Sequence, residues 1–148
     1  MNKCGTVTLE TDRLILRKIQ KSDAKDMLKN YCNDEDVVKF LPWYPHKDIK
    51  VTKQYIRNVI KKYHIEKENS YHWVIVLKET TEVIGAIDFG KYDKINSNCE
   101  LGYCLSKSYW NKGIMPLNTC LKQQILKEFM QYMPLKILVA AGLCKKLA

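Results

Sequence analysis

Lys112-Gly113, set between the aromatic pair Tyr109-Trp110 and a proline at 116, is the pattern in this chain with the clearest chemical use. Proline suits the first turn of a helix, where its missing N–H would have had no partner, so a helix is expected from Pro116. The first N–H groups of a helix lack internal partners and its dipole adds positive potential, which together make a cradle for an anion. Lys112 adds charge to that cradle, and Gly113 lets the backbone approach a phosphate with no Cβ in the way. A lone Lys-Gly before a helix also occurs as an ordinary turn, so these residues alone leave both readings open. His72 is a second group able to titrate near neutral pH, although a histidine alternating along a strand also serves as a satisfied core residue. Six cysteines, at 4, 32, 99, 104, 120 and 144, form no Cys-x-x-Cys pair, and the three histidines stand at no ligand spacing from them. No metal site is expected.

These residues must be positioned by elements that the hydrophobic pattern outlines. Between Thr6 and Gln20 the apolar and charged residues mix as in one half-buried strand, Leu14 and Leu16 on one face, Arg13, Ile15 and Arg17 on the other. Ser22 is the expected cap of a helix bearing Ala24, Met27, Leu28 and Tyr31 at helical spacing, with Asp23 and Asp26 in its first turn. A short helix is expected over 34–40. Pro42 and Pro45 then force a loop around Trp43 and Tyr44. Asp48 can cap a longer helix, ending near Glu66, with Tyr55, Ile56, Val59, Ile60 and Tyr63 on one stripe. The β-branched and aromatic runs Tyr71 to Leu77 and Val83 to Phe89 predict a hairpin of buried strands. Cys99 to Leu105 is a third run. Leu117, Leu121, Ile125 and Phe129 supply the stripe of the helix after Pro116, and Lys136 to Ala141 fits a last strand.

A chain of 148 residues with 46% hydrophobic and 28% charged residues has the size and composition of one globular domain. Its net charge of +9 favours an anionic partner: nucleic acid, a membrane surface or a phosphate-bearing small molecule. Neither a signal-peptide pattern nor a membrane-length apolar stretch is present, so a cytoplasmic protein with reduced, mostly core cysteines is expected. The lysines are spread over helices and loops rather than interleaved with exposed aromatics, which ranks nucleic-acid binding last among the readings.

Five stretches, in order, carry a resemblance. Leu-Glu-Thr-Asp-Arg-Leu-Ile-Leu-Arg (9–17), Asn-Asp-Glu-Asp-Val-Val-Lys-Phe-Leu (33–41), Glu-Val-Ile-Gly (82–85), Glu-Leu-Gly-Tyr-Cys-Leu (100–105) and Tyr-Trp-Asn-Lys-Gly-Ile-Met (109–115) are similar to the GNAT acyltransferases, in the branch that includes the RimJ and RimL ribosomal-protein N-terminal acetyltransferases. The resemblance implies an α/β fold: a mixed, mostly antiparallel sheet flanked by helices, splayed beside strand 99–105. It implies acetyl-CoA as cofactor, its pantetheine pairing with backbone at Tyr103, Cys104 and Leu105. Its pyrophosphate would lie on a turn made by Trp110, Asn111, Lys112, Gly113, Ile114 and Met115. Trp110 and Met115 depart from the family pattern at its two ends. The implied reaction is direct acetyl transfer to a primary amine of a protein N-terminus or small molecule, with no nucleic-acid or membrane partner. Such transfer needs a base for the amine proton and a donor for the thioester oxyanion. Glu100 matches a glutamate that some relatives use as base, acting through water, while a structural ion pair is the other reading of it. Trp43 and Tyr44 match the family's acceptor loop and either line an amine pocket or pack over the core.

After Met115 the resemblance stops. Residues 116–148 hold five lysines and one glutamate, against 20 basic and 15 acidic residues in 1–115, and the tyrosine with which the family protonates the departing thiol has no match. With suitable synonymous codons, one displacement of frame after Met115 turns residues 115–120, 127–132 and 140–148 into family-like segments. The expectation is therefore a single domain, 1–148, family-like over 1–115 and truncated by a divergent tail over 116–148, with little or no acetyl transfer. A non-catalytic CoA-binding or homodimerising module is the alternative.

Overall fold

The computed structural model describes residues 6–65, 71–93, 98–114 and 136–139. Among the described residues six strands follow chain order across one sheet: β1 (Leu9–Glu10), β2 (Leu14–Arg17), β3 (Tyr71–Leu77), β4 (Val83–Asp93), β5 (Asn98–Leu105) and β6 (Lys136–Val139). Neighbours are antiparallel except β5 and β6, which run parallel from Asn98 opposite Lys136 to Leu101 opposite Val139. The mixed, mostly antiparallel sheet is as the resemblance implies.

The expected first strand is instead two. Leu9 pairs with Leu16 and Glu10 with Ile15, because the chain reverses at Thr11, whose Oγ1 accepts from Leu14 N at 3.1 Å while its own N–H donates to the Leu14 carbonyl at 2.9 Å. A threonine side chain bonding nearby backbone is a local rival to extended pairing, and it wins here. The face assignment survives the break: Leu14 and Leu16 are fully buried.

Helix α1 (Ala24–Met27) is preceded by a tighter turn, Lys21–Asp23, and widens into a π turn, Leu28–Cys32. Its start is organised by Asp23, not Ser22. The buried Asp23 carboxylate accepts from Gln20 N at 2.7 Å and takes a two-pronged bond from the half-buried Arg17, at 2.8 and 2.9 Å. Asp34 caps α2 (Glu35–Val38), accepting from Asp36 N at 2.9 Å. Asp48 caps α3 (Ile49–Ile65) as expected, accepting from Lys50 N at 2.7 Å and Val51 N at 3.2 Å.

Strand alternation builds two buried faces. Val74, Val76, Val83 and Cys104 meet Met27, Tyr31, Cys32, Ile56 and Val59 from the helices, and Leu14, Leu16, Trp73, Ile75, Leu77, Ile87, Tyr103 and Leu105, on the other face, are also buried. At Gly85 the strands approach so closely that a Cβ would stand 2.3 Å from the Cys104 carbonyl oxygen. The helix expected after Pro116 lies outside the described residues.

Candidate active site

The sheet delivers two constellations at β5. At its C-terminal end, Ser106 N donates to the Ile84 carbonyl at 2.7 Å and a short 3-10 turn, Lys107–Tyr109, swings the chain away. Trp110 then folds back on the core, its indole N–H donating to the Leu105 carbonyl at 2.8 Å. Asn111 (φ 59°) and Gly113 (φ 60°) are both left-handed, the alternation that turns successive N–H groups to one side and makes a nest for an anion. A Cβ on Gly113 would meet nothing within 4 Å, so glycine is required by conformation and by what approaches, not by crowding. Arg13 donates from Nη2 to the Gly113 carbonyl, and the Lys112 ammonium lies 5.8 Å from the Tyr109 ring centre. Asn111, Lys112 and Gly113 are exposed and Ile114 is buried. Met115 lies outside the described residues.

Tyr103, Cys104 and Leu105 are 5%, 5% and 3% exposed. Their side chains belong to the two buried faces, and burial pushes the Cys104 thiol up to about 12. What these three can offer a cofactor is backbone. Asp36 on α2 pairs with Lys107, which ties the exit from β5 to the helix layer.

The second constellation spans the helix side of the sheet. His72, Asp88 and Gly102 sit opposite one another on β3, β4 and β5. A Cβ on Gly102 would be 2.6 Å from Asp88 Oδ1, so the carboxylate occupies the space a side chain would take over β5. Glu100 pairs with Gly90 two positions along the same ladder, and with Leu138 of β6. His72 Nε2 lies 3.2 Å from the Tyr55 hydroxyl of α3. Burial, aided by Lys62, pushes the imidazole down to about 4. At neutral pH it is uncharged, and its Nδ1 is buried with no hydrogen-bond partner among the described residues. Burial raises the Tyr55 hydroxyl, so that group is a proton donor at any physiological pH.

The 42–45 loop separates its two aromatics. Trp43 packs against the core, with its ring 6.2 Å from Tyr55 and 5.0 Å from His46, while Tyr44 is 91% exposed. His46 anchors the loop, its N–H donating to the Cys32 carbonyl at 2.8 Å and its Nδ1 lying 2.9 Å from Thr52 Oγ1. Sequence reasoning missed Asp88 and Arg13. The signal for Asp88 was a carboxylate inside the apolar run Gly-Ala-Ile-Asp-Phe; for Arg13, nothing local announces a partner 100 residues away.

An ordered sheet with a nest at the end of β5 defines the class, and the chain belongs to it: the family model described as acetyltransferase (GNAT) domain matches residues 13–141. That match continues past Met115, beyond the last of the five family-like motifs. Over 106 residues the chain is 37% identical to the uncharacterized N-acetyltransferase p20 of Bacillus licheniformis, covering 72% of this chain. The chain spans 58% of that relative's length. The fold is shared with a GNAT-family acetyltransferase of Bacillus anthracis, at a TM-score of 0.69 and 20% identity over 90% of this chain and 72% of that one. It is shared also with RimL, the ribosomal L7/L12 alpha-N-protein acetyltransferase solved with coenzyme A, at a TM-score of 0.72 and 16% identity over 94% and 78%. Among the described residues no helix is long and apolar enough to cross a membrane.

Proposed function

We propose that this chain binds acetyl-CoA and directs transfer of its acetyl group to a primary amine, of a protein N-terminus or a small molecule. One observation carries the reading: the left-handed pair Asn111 and Gly113, pinned by Trp110 to the end of β5 and by Arg13 to the β1–β2 turn. This arrangement fits a pyrophosphate, since it combines outward N–H groups, an exposed lysine and an arginine with no Cβ at Gly113. The backbone of Tyr103, Cys104 and Leu105 is the edge along which pantetheine would pair.

Acetyl-CoA, when bound, supplies an acyl carbon already activated as a thioester. The residues of this chain have the remaining tasks. An amine is protonated at neutral pH, so it must surrender a proton before it can attack. Glu100 takes that role through water, from the strand that holds the cofactor. Asp88, exposed and opposite Gly102 on the same strand, is the second carboxylate within reach of that face. Trp43 walls the acceptor side through its contact with Tyr55.

Calorimetry with CoA, paired with a thiol-release assay on a panel of amines, tests the reading. Binding together with amine-dependent thiol release is expected. Glu100→Gln should lower the rate about 100-fold at neutral pH while CoA affinity stays within twofold; affinity and thermal stability falling together would make Glu100 structural. No CoA binding by the folded chain sinks the proposal, and binding without any thiol release favours the non-catalytic module. The displaced-frame reading of 116–148 is tested by the coding DNA: deleting two nucleotides after the Met115 codon must restore the family pattern, or that reading falls.

A further inference from the structure

Helix α3 carries Lys50, Lys53, Arg57, Lys61 and Lys62 and no carboxylate in its 17 residues. Lys50, Lys53 and Arg57, with Val51 and Tyr55 beside them, line an open groove of about 750 Å³. Four lysines elsewhere have carboxylate partners: Lys29 has Glu82, Lys39 and Lys107 share Asp36, and Lys78 has Glu10. Among the described residues no ion pair reaches the three groove cations. The Arg57 bond is to a neutral group, Gln54 Oε1 at 3.3 Å. Like charges one turn apart weaken a helix, so this stripe costs stability with no internal return.

The groove borders the second constellation through one shared residue. Its wall is Tyr55, whose ring neighbours Trp43 and whose hydroxyl meets His72, itself opposite Asp88 on the strand next to β5. Three cations at i, i+3 and i+7 cover about 10 Å of helix, the length of about three residues of extended peptide. Val51, 44% exposed, adds apolar surface beside them. We infer that the groove holds the carboxylate-rich first residues of an acidic peptide acceptor, aligning its terminal amine with β5. The inference rests on the acetyl-transfer reading and names its substrate class. Nucleic acid fits less well, because the ring lining the groove, Tyr55, is engaged by Trp43, His46 and His72 and is not open for base stacking.

The test is fluorescence anisotropy on the full chain with three probes: an Ala-Glu-Asp-Glu peptide labelled at its C-terminus, its Ala-Gln-Asn-Gln counterpart and a single-stranded RNA of equal charge. The acidic peptide should bind at least about tenfold tighter than the neutral one, and the margin should shrink as salt rises. Lys53→Glu with Arg57→Glu should abolish the margin while leaving CoA calorimetry unchanged. Lys53→Gln with Arg57→Gln, gentler on folding, should reduce it. Equal binding of the two peptides, indifference to these substitutions, or tighter binding of the RNA overturns the inference. Groove-dependent peptide binding without thiol release leaves the groove standing and fells acetyl transfer. Turnover of neutral amines at the same rate as acidic peptides does the reverse.

Discussion

The 110–114 turn is defined by backbone conformation; around Tyr55 and His72, what defines the site is side chains drawn from α3, β3, β4 and the 42–45 loop. The turn depends on two left-handed residues in three positions and on anchors that hold it from behind. The cluster depends on burial, which discharges His72 and keeps Tyr55 protonated. Insults to the first should therefore be conformational and local, with binding lost and the fold kept. Insults to the second should register in stability and pH.

The largest expected effect is on the cluster. His72 has an ordinary value near 6.5 when unfolded and about 4 when folded, so the unfolded chain binds the extra proton first as pH falls. Stability is full above about 6.5 and declines between about 6.5 and 4, by about 3 kcal/mol in total. His46, pushed down by burial as well, acts in the same direction. Denaturant titrations from pH 7.5 to 4 should show this decline in the wild type and a shallower one in His72→Gln; identical slopes would remove His72 from the account.

Next is the turn. Gly113→Asp places a side chain at φ 60° and a negative charge beside the phosphate position. CoA affinity should fall at least about tenfold from the repulsion, while the strain of a side chain in that conformation, about 1–2 kcal/mol, falls on stability. The melting temperature should drop by only a few degrees, the cost of that strain, since no atom lies within 4 Å of the added Cβ. A large loss of thermal stability with unchanged affinity would reverse the contrast between the two regions. Smallest is Tyr44→Ala, which should change stability by less than about 0.5 kcal/mol, because that ring is 91% exposed. Any effect should appear in KM for the acceptor; a stability loss comparable to that of Trp43→Ala would show that the loop is not divided as described.

The same contrast explains what could be read in advance. Lys112-Gly113 is contiguous, so a turn there was legible, as were the cap at Asp48, the buried run of β3 and the apolar stripe of α3. The turn at Thr11 was not, because a threonine carries no obligatory turn signal. Asp88 was not, because its neighbours Gly102 and His72 come from other strands, and register is set by pairing across the sheet rather than by local spacing. The groove on α3 escaped for a third reason: five cations on a helix read as an ordinary solvated face until the distribution of carboxylates around them is known.

The bond from Arg13 to the Gly113 carbonyl joins residues 100 positions apart, and that separation has a consequence for folding during synthesis. Each β-hairpin can close while its own sequence is fresh, since non-local contacts are the slow ones. The Arg13 guanidinium must wait for Gly113 to be made, about 5–20 s later at ordinary elongation rates. A nascent chain can thus have most of its sheet before this tie exists, and the 110–114 turn is tied to the sheet edge only after that.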